Sequence, residues 1–155
     1  QVLQRIPPRS SLQFEGKVQQ LPVKQHRTKT TNRYFNYIYV RMGAHTLIHK
    51  RTEDDIWKNL FELPLVETEK DLSEEEFLAC PQFHALFAEG EVRMVRTLLR
   101  GVKHVLSHRV IYTNFYEVTL PDNSSSFSSY QRVAVEDLGR YAVPRLIHAF
   151  LEKYV

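Results

Sequence analysis

The sequence predicts an α+β domain with a mixed β-sheet flanked by helices. The order of its segments carries the prediction: a strand hairpin, an irregular apolar stretch, a helix, further strands and a terminal helix. Such an order fits a sheet covered by helices. Composition agrees. The 155 residues are 43% hydrophobic, 12% aromatic and 25% charged, which suits one domain with a real core and excludes a disordered chain.

Residues 1–32 show no sustained periodicity. They hold Pro7, Pro8, Gly16 and Pro22 and a basic run through Lys24, Arg27 and Lys29. They read as a connector, with the folded domain at 33–155. Residues 33–41, RYFNYIYVR, are dense in aromatic and β-branched side chains and read as a strand. Ile38 and Val40 fall opposite Phe35, Tyr37 and Tyr39, as in a central strand covered on two faces. Gly43 supplies a turn with positive φ, and TLIHKR returns as the hairpin partner. Residues 54–65 are expected to be irregular, with Ile56, Trp57, Leu60, Phe61 and Leu63 inward and Pro64 blocking a helix.

Ser73 is an N-cap and Glu76 completes a capping box, so a helix opens here, carries Phe77 and Leu78 and stops before Pro81. PQFHALFAEG reads as a second short helix ending at Gly90. Residues 92–99 and 103–118 read as strands, the second interrupted near Ser107 and His108. PDNSSSFSS is expected to be a flexible loop, YQRVAV a strand and residues 137–139 a turn. Pro144 suits the first turn of a terminal helix, whose buried stripe is Leu146, Ile147, Phe150, Leu151 and Tyr154.

Charge is unevenly placed. Residues 1–52 carry a net +9, residues 53–91 a net −10 and residues 92–155 a net +4. No acid occurs at 16–52 or at 92–116. A positive face attracts polyanions, nucleic acid above all. The other reading is a set of solvated charges scattered over the fold, and charge alone leaves the two level. One cysteine, Cys80, excludes an internal disulfide and any multi-cysteine zinc or iron–sulfur site made by this chain alone. No apolar run approaches the roughly 20 residues that cross a bilayer. The first ten residues lack the apolar stretch of a secretion signal. A soluble chain from a reducing compartment, with no membrane partner, is expected.

Most catalytic chemistry fails on spacing. His45 and His49, like His104 and His108, sit four apart on strands outside any HExxH context. Cys80 lies in an apolar setting and reads as a buried, inert thiol. No G-x-S-x-G, P-loop or G-x-G-x-x-G is present. Carboxylates remain: Glu74, Glu75 and Glu76, with Glu67 and Glu69 nearby, have the chemistry to hold magnesium against a pyrophosphate. The fold reading fits the Nudix class, which hydrolyses nucleoside diphosphate derivatives. KDLSEEEFLACPQF lacks that class's Arg-Glu-x-x-x-Glu-Glu core and its leading Gly. The acids therefore read as a solvated helix face, with no metal site and no catalytic residue in this chain.

Four segments, in order and at similar spacings, resemble the C-terminal domain of adenine DNA glycosylases, the MutY family. VKHVLSHRVIYTNFY is similar to its recognition segment, and IWKNLFELPLVE to its Leu-Trp-x-x-Leu-Trp-Glu-Phe-Pro segment. LPVKQHRTKTTNRYF looks like the interdomain connector and DLGRYAVPRLIHAFLEKY like the closing turn and helix. The resemblance implies a MutT-like Nudix fold with a degenerate box, inspecting 8-oxoguanine in a mispair with adenine. A separate N-terminal glycosylase domain, in cis, flips and excises the adenine. By position Leu106, Ser107 and His108 match the family's Phe-Ser-His. Ser107 is then the residue that hydrogen-bonds the damaged base, with Leu106 and His108 shaping the loop. The family usually carries a 4Fe-4S cluster in the catalytic domain, but Arg5 and Ser11 stand at its last two cysteine positions, so no cofactor is expected in this chain.

The implied role makes chemical sense. Oxidised guanine gains an N7–H donor and a C8 carbonyl acceptor, and a serine hydroxyl with adjacent backbone offers both complements. One such contact is worth about 1–3 kcal/mol of discrimination. Taken alone, Ser107 is a turn serine bonding its own backbone. Lys24, Arg27 and Lys29 on the connector, and Lys103, His104 and Arg109 beside the loop, are the candidate phosphate contacts. Two other functions stand beside this one. The first is a magnesium-dependent pyrophosphohydrolase using Glu74, Glu75 and Glu76. The second is a protein-interaction domain with a basic face. The expected place of action is the bacterial cytoplasm, at the nucleoid, with the nucleus as the alternative.

Overall fold

The computed structural model describes residues 31–155. Two sheets form the frame. One has four strands in the order β4-β1-β6-β5 and the other three, in the order β3-β2-β7. The strands are β1 (Thr31–Arg41), β2 (His45–Lys50), β3 (Phe61–Glu62), β4 (Leu65–Thr68), β5 (Met94–Leu106), β6 (Arg109–Thr119) and β7 (Gln131–Ala134). Helices are α1 (Glu74–Ala79), α2 (Pro81–His84) and α3 (Arg145–Tyr154).

β1 is the central strand, and both of its faces are buried. Phe35, Tyr37 and Tyr39 enter one core with Ile111, Phe115, Ile147 and Phe150. Ile38 and Val40 enter the other with Val66, Phe77, Tyr116 and Val118. β1 pairs antiparallel with β4. The contacts Tyr34 with Tyr112, Asn36 with Asn114 and Arg41 with Leu120 advance together along both chains, so β1 and β6 run parallel and the sheet is mixed.

Several boundaries differ from expectation. β2 is not the sheet partner of β1. After the tight turn at Gly43, φ +61, one bridge joins Met42 to His45, and β2 then departs to pair with β3 and β7. Both faces of β1 are already needed for the two cores, and its edges are taken by β4 and β6. The irregular segment at 54–65 contains β3, and β4 follows at Leu65. The second helix is only Pro81–His84. Residues 137–139 lie inside a 3-10 helix, Val135–Arg140. Cys80 is half-buried rather than buried.

The serine loop is tied down. Glu91 accepts from Ser124 Oγ at 2.5 Å, Ser126 Oγ at 2.8 Å and Ser125 N at 3.2 Å. These bonds hold its carboxyl down at about 2. Phe127, just beyond, is buried with φ +57.

The capping box at α1 forms as its sequence requires. Ser73 Oγ accepts from Glu76 N at 3.1 Å, and Glu76 Oε1 accepts from Ser73 N at 2.9 Å. Phe77 is thereby set against Tyr116, stacked at 4.5 Å. α3 starts after Pro144 and buries Leu146, Ile147 and Phe150, with Leu151 and Tyr154 packed alongside.

Candidate functional site

The longest hairpin among the described residues is β5–β6. Its antiparallel ladder runs from Met94↔Thr119 to Leu106↔Arg109. The chain reverses in a turn of two residues, Ser107 and His108. What reads in the sequence as an interruption within one strand is this reversal. The gap expected at 100–102 is instead a bulge inside β5: the register shifts between Thr97 and Val102. Gly101 there takes φ +70, a conformation open to glycine at little cost. Asn114 Oδ1 accepts from Gly101 N at 2.8 Å and secures the bulge.

Beyond the bulge the hairpin carries the residues singled out in the sequence. Ser107, His108, Arg109 and Lys103 are exposed, and Leu106 is half-buried against the core. Opposed residues share a face, so Leu106, His104 and Ile111 lie with Arg109 on the core side, while Lys103 and Val105 lie with Val110 and Tyr112 on the other. Lys103 and Arg109 therefore straddle the hairpin. No acid among the described residues pairs with either. Val105, at 66% exposure, is an uncovered apolar side chain beside the tip. His104 is half-buried, its ring centroid 5.9 Å from that of Trp57 in a T-shaped contact. Lys24, Arg27, Lys29, Arg5 and Ser11 lie outside the described residues.

Behind Trp57 runs a chain of alternating charges that the sequence reading missed. Arg33 grips Asp55 at 2.8 and 2.9 Å and Glu67 at 2.7 and 2.8 Å. Arg51 binds Asp55 at 2.9 Å and reaches the buried Glu62 at 3.0 and 3.1 Å. Tyr37 donates its hydroxyl to Glu62 at 2.6 Å. The Arg33 guanidinium holds the Asp55 carboxyl well below the usual carboxylate range. Burial, with the Glu62 charge, pushes the Tyr37 hydroxyl up. His49 Nε2 is 2.9 Å from Glu62 but out of line for a hydrogen bond. Its ring, with Glu62 and Tyr130, borders a cavity of about 250 Å³. No run of like residues marks this network in the sequence, because its members come from three separate segments.

The acidic segment behaves differently. Glu74, Glu75 and Glu76 are exposed on α1, and Glu76 is engaged in the cap, which lowers its pKa. Arg100 stands at the entrance to the helix, donating to Leu72 O and to Tyr116 Oη, each at 2.8 Å. Among the described residues no three His, Cys, Asp or Glu side chains gather as a metal site.

The NUDIX domain family model matches residues 36–153. The chain belongs to the NUDIX domain family. The MutT-like fold expected from the sequence is thereby shown. The NUDIX domain is similar to the C-terminal domain of mouse MUTYH, solved in complex with human PCNA, at 15% identity over 79% of this chain and 86% of that one, with a TM-score of 0.57. It is similar to the MutT protein of Methanosarcina mazei Go1, at 17% identity over 80% and 93%, with a TM-score of 0.53. A MutT structure from work on Aliivibrio salmonicida and Vibrio cholerae matches at 15% identity over 79% and 96%, with a TM-score of 0.54. At such identities the likeness is one of fold. No curated protein matches the sequence. At the tip of β5–β6 this NUDIX domain exposes the side chains of Ser107 and His108, flanked by Lys103 and Arg109.

Proposed function

We propose that this chain is a DNA-contacting recognition domain of an adenine DNA glycosylase, inspecting 8-oxoguanine opposite adenine without cleaving DNA itself. The observation that carries the reading is the two-residue turn at Ser107 and His108, exposed at the end of the β5–β6 hairpin. A protruding turn can enter a groove and offer the Ser107 hydroxyl and turn amides to a base edge. Lys103 and Arg109 on either side then meet phosphates and position the tip without reading sequence. In this reading residues 1–32 connect to a glycosylase domain in cis, which contributes its own share of the DNA contact.

The test is a pair of duplexes that differ only in carrying 8-oxoguanine or guanine opposite adenine. The expected result is tighter binding to the oxidised duplex, with the preference eroded when Ser107→Ala and His108→Ala are combined. Equal binding by the unaltered chain removes the assignment.

A second reading, a magnesium-dependent pyrophosphohydrolase, draws on the three glutamates in the first turn of α1. Their divergence on an exposed helix counts against it. Pyrophosphate release from 8-oxo-dGTP with added magnesium, abolished by Glu75→Gln, would establish it.

A further inference from the structure

We propose that Trp57 is a positioning residue of the recognition hairpin: its indole braces His104 and so holds the tip at residues 106–109 in place. The inference rests on the reading of that hairpin given above and adds a residue to it.

Trp57 and Asn59 have φ of +58 and +71. That region disfavours any side chain with a Cβ and is a rare setting for a bulky one. Such strain persists only where the surroundings over-determine it, and it concentrates at functional positions. Here the surroundings do over-determine it. Asp55 Oδ1 accepts from Ile56 N at 2.7 Å, and Arg51 Nε donates to Ile56 O at 3.0 Å. Asn59 N donates to Arg51 O at 2.6 Å, and Leu60 N to Trp57 O at 3.1 Å. Asp55 and Arg51 are in turn fastened by Arg33 and Glu62. The charge network thus clamps both sides of the turn.

The clamp aims the indole. Its ring makes edge-to-face contacts with Phe35 and with His104, at centroid separations of 6.0 and 5.9 Å. His104 lies beyond the bulge, two residues before Leu106 and on the same face. β5 is the edge of its sheet, so no further strand steadies its outer side. The five pairs from Val102↔Thr113 to Leu106↔Arg109 extend past a register shift. A ladder broken by a bulge bends there. On the face of His104, Trp57 is a bulky group set against the extension from outside the hairpin, while Tyr34 of β1 stacks on Tyr112 on the opposite face. A side chain that only filled the core would gain nothing from a left-handed backbone, whereas this conformation sets the ring against the hairpin.

The test uses the full chain and the same two duplexes, with labelled DNA and fluorescence anisotropy, for the unaltered chain and for Trp57→Ala, Trp57→Leu and Trp57→Phe. Loss of an aromatic contact corresponds to about a threefold to tenfold change. The preference for the oxidised duplex should fall by about that factor in Trp57→Ala and Trp57→Leu, with binding to the guanine duplex unchanged. Trp57→Phe keeps a ring edge and should retain the preference. If Trp57→Ala does not fold, the Leu and Phe variants decide. A full preference in Trp57→Leu overturns the brace and leaves the hairpin reading standing. Equal losses in Leu and Phe, or equal losses for both duplexes, also overturn it. An unaltered chain with no preference overturns both.

Discussion

The guanidinium of Arg51 reaches both oxygens of the Glu62 carboxylate, at 3.0 and 3.1 Å, where Glu62 is only 2% exposed. This pair is the innermost link of the network that shapes the Trp57 turn, and Tyr37 completes the solvation of the buried charge. Removing one partner of a buried pair leaves an uncompensated charge, at about 3–5 kcal/mol. Arg51→Ala should therefore lower the unfolding free energy by about 3–5 kcal/mol in a urea titration, and Glu62→Gln by less, because Arg51 then keeps Asp55 as its counter-charge at 2.9 Å. Similar losses for the two would mean that packing, not charge, sets the cost.

At the hairpin tip, Ser107→Ala alone should be mild, since the turn amides still offer donors to the base. Combined with His108→Ala it should reduce the ratio of affinities for 8-oxoguanine and guanine duplexes, by an amount corresponding to about 1–3 kcal/mol. The measurement is the affinity ratio at one fixed salt concentration, since charge contacts alone shift both affinities together.

Lys103 and Arg109 are exposed, and no acid among the described residues is paired with either. Changing either to Gln should weaken binding to both duplexes alike and lower the slope of log affinity against log salt by about 1. A change in lesion preference instead would place that side chain on the base. The same expectation holds for Lys24, Arg27 and Lys29.

Glu91 links pH to the serine loop. Its carboxyl sits at about 2, below the ordinary value of 4.5. A carboxylate depressed in the folded state contributes stability that is complete above its unfolded pKa and is lost as pH falls through the folded one. The loop should therefore loosen between about pH 4.5 and about 2, read as lower hydrogen-exchange protection at the amides of Ser125 and Ser126 once the intrinsic rate at each pH is divided out. Glu91→Gln should show low protection at these amides already at neutral pH and little further loss of it on acidification. Asp55, which is also depressed, adds to acid sensitivity in the same direction.

Much of the frame was legible in the chain. The alternation through residues 33–41 places Phe35, Tyr37 and Tyr39 opposite Ile38 and Val40 because strand side chains alternate, whatever surrounds them. Ser73 and Glu76 declare the start of α1 by local hydrogen bonding. The stripe of α3 follows from helical spacing alone. These are short-range facts, and the structure keeps them.

The remainder depended on residues distant in sequence. Nothing local to TLIHKR shows that both edges of β1 are occupied and that β2 must leave for another sheet. Ser107 and His108 look like an interruption until the ladder reveals a reversal, and Gly101 looks like a break until Asn114 secures it as a bulge. Arg33, Arg51, Asp55, Glu62 and Glu67 are ordinary charges in the chain. Side-chain chemistry and spacing determined the elements, because those act within a few residues. Tertiary structure decided the partners, the burial of Glu62 and the left-handed turn at Trp57, because the bonds of Arg33 to Asp55 and Glu67 join residues 22 and 34 apart and depend on what else competes for the same atoms.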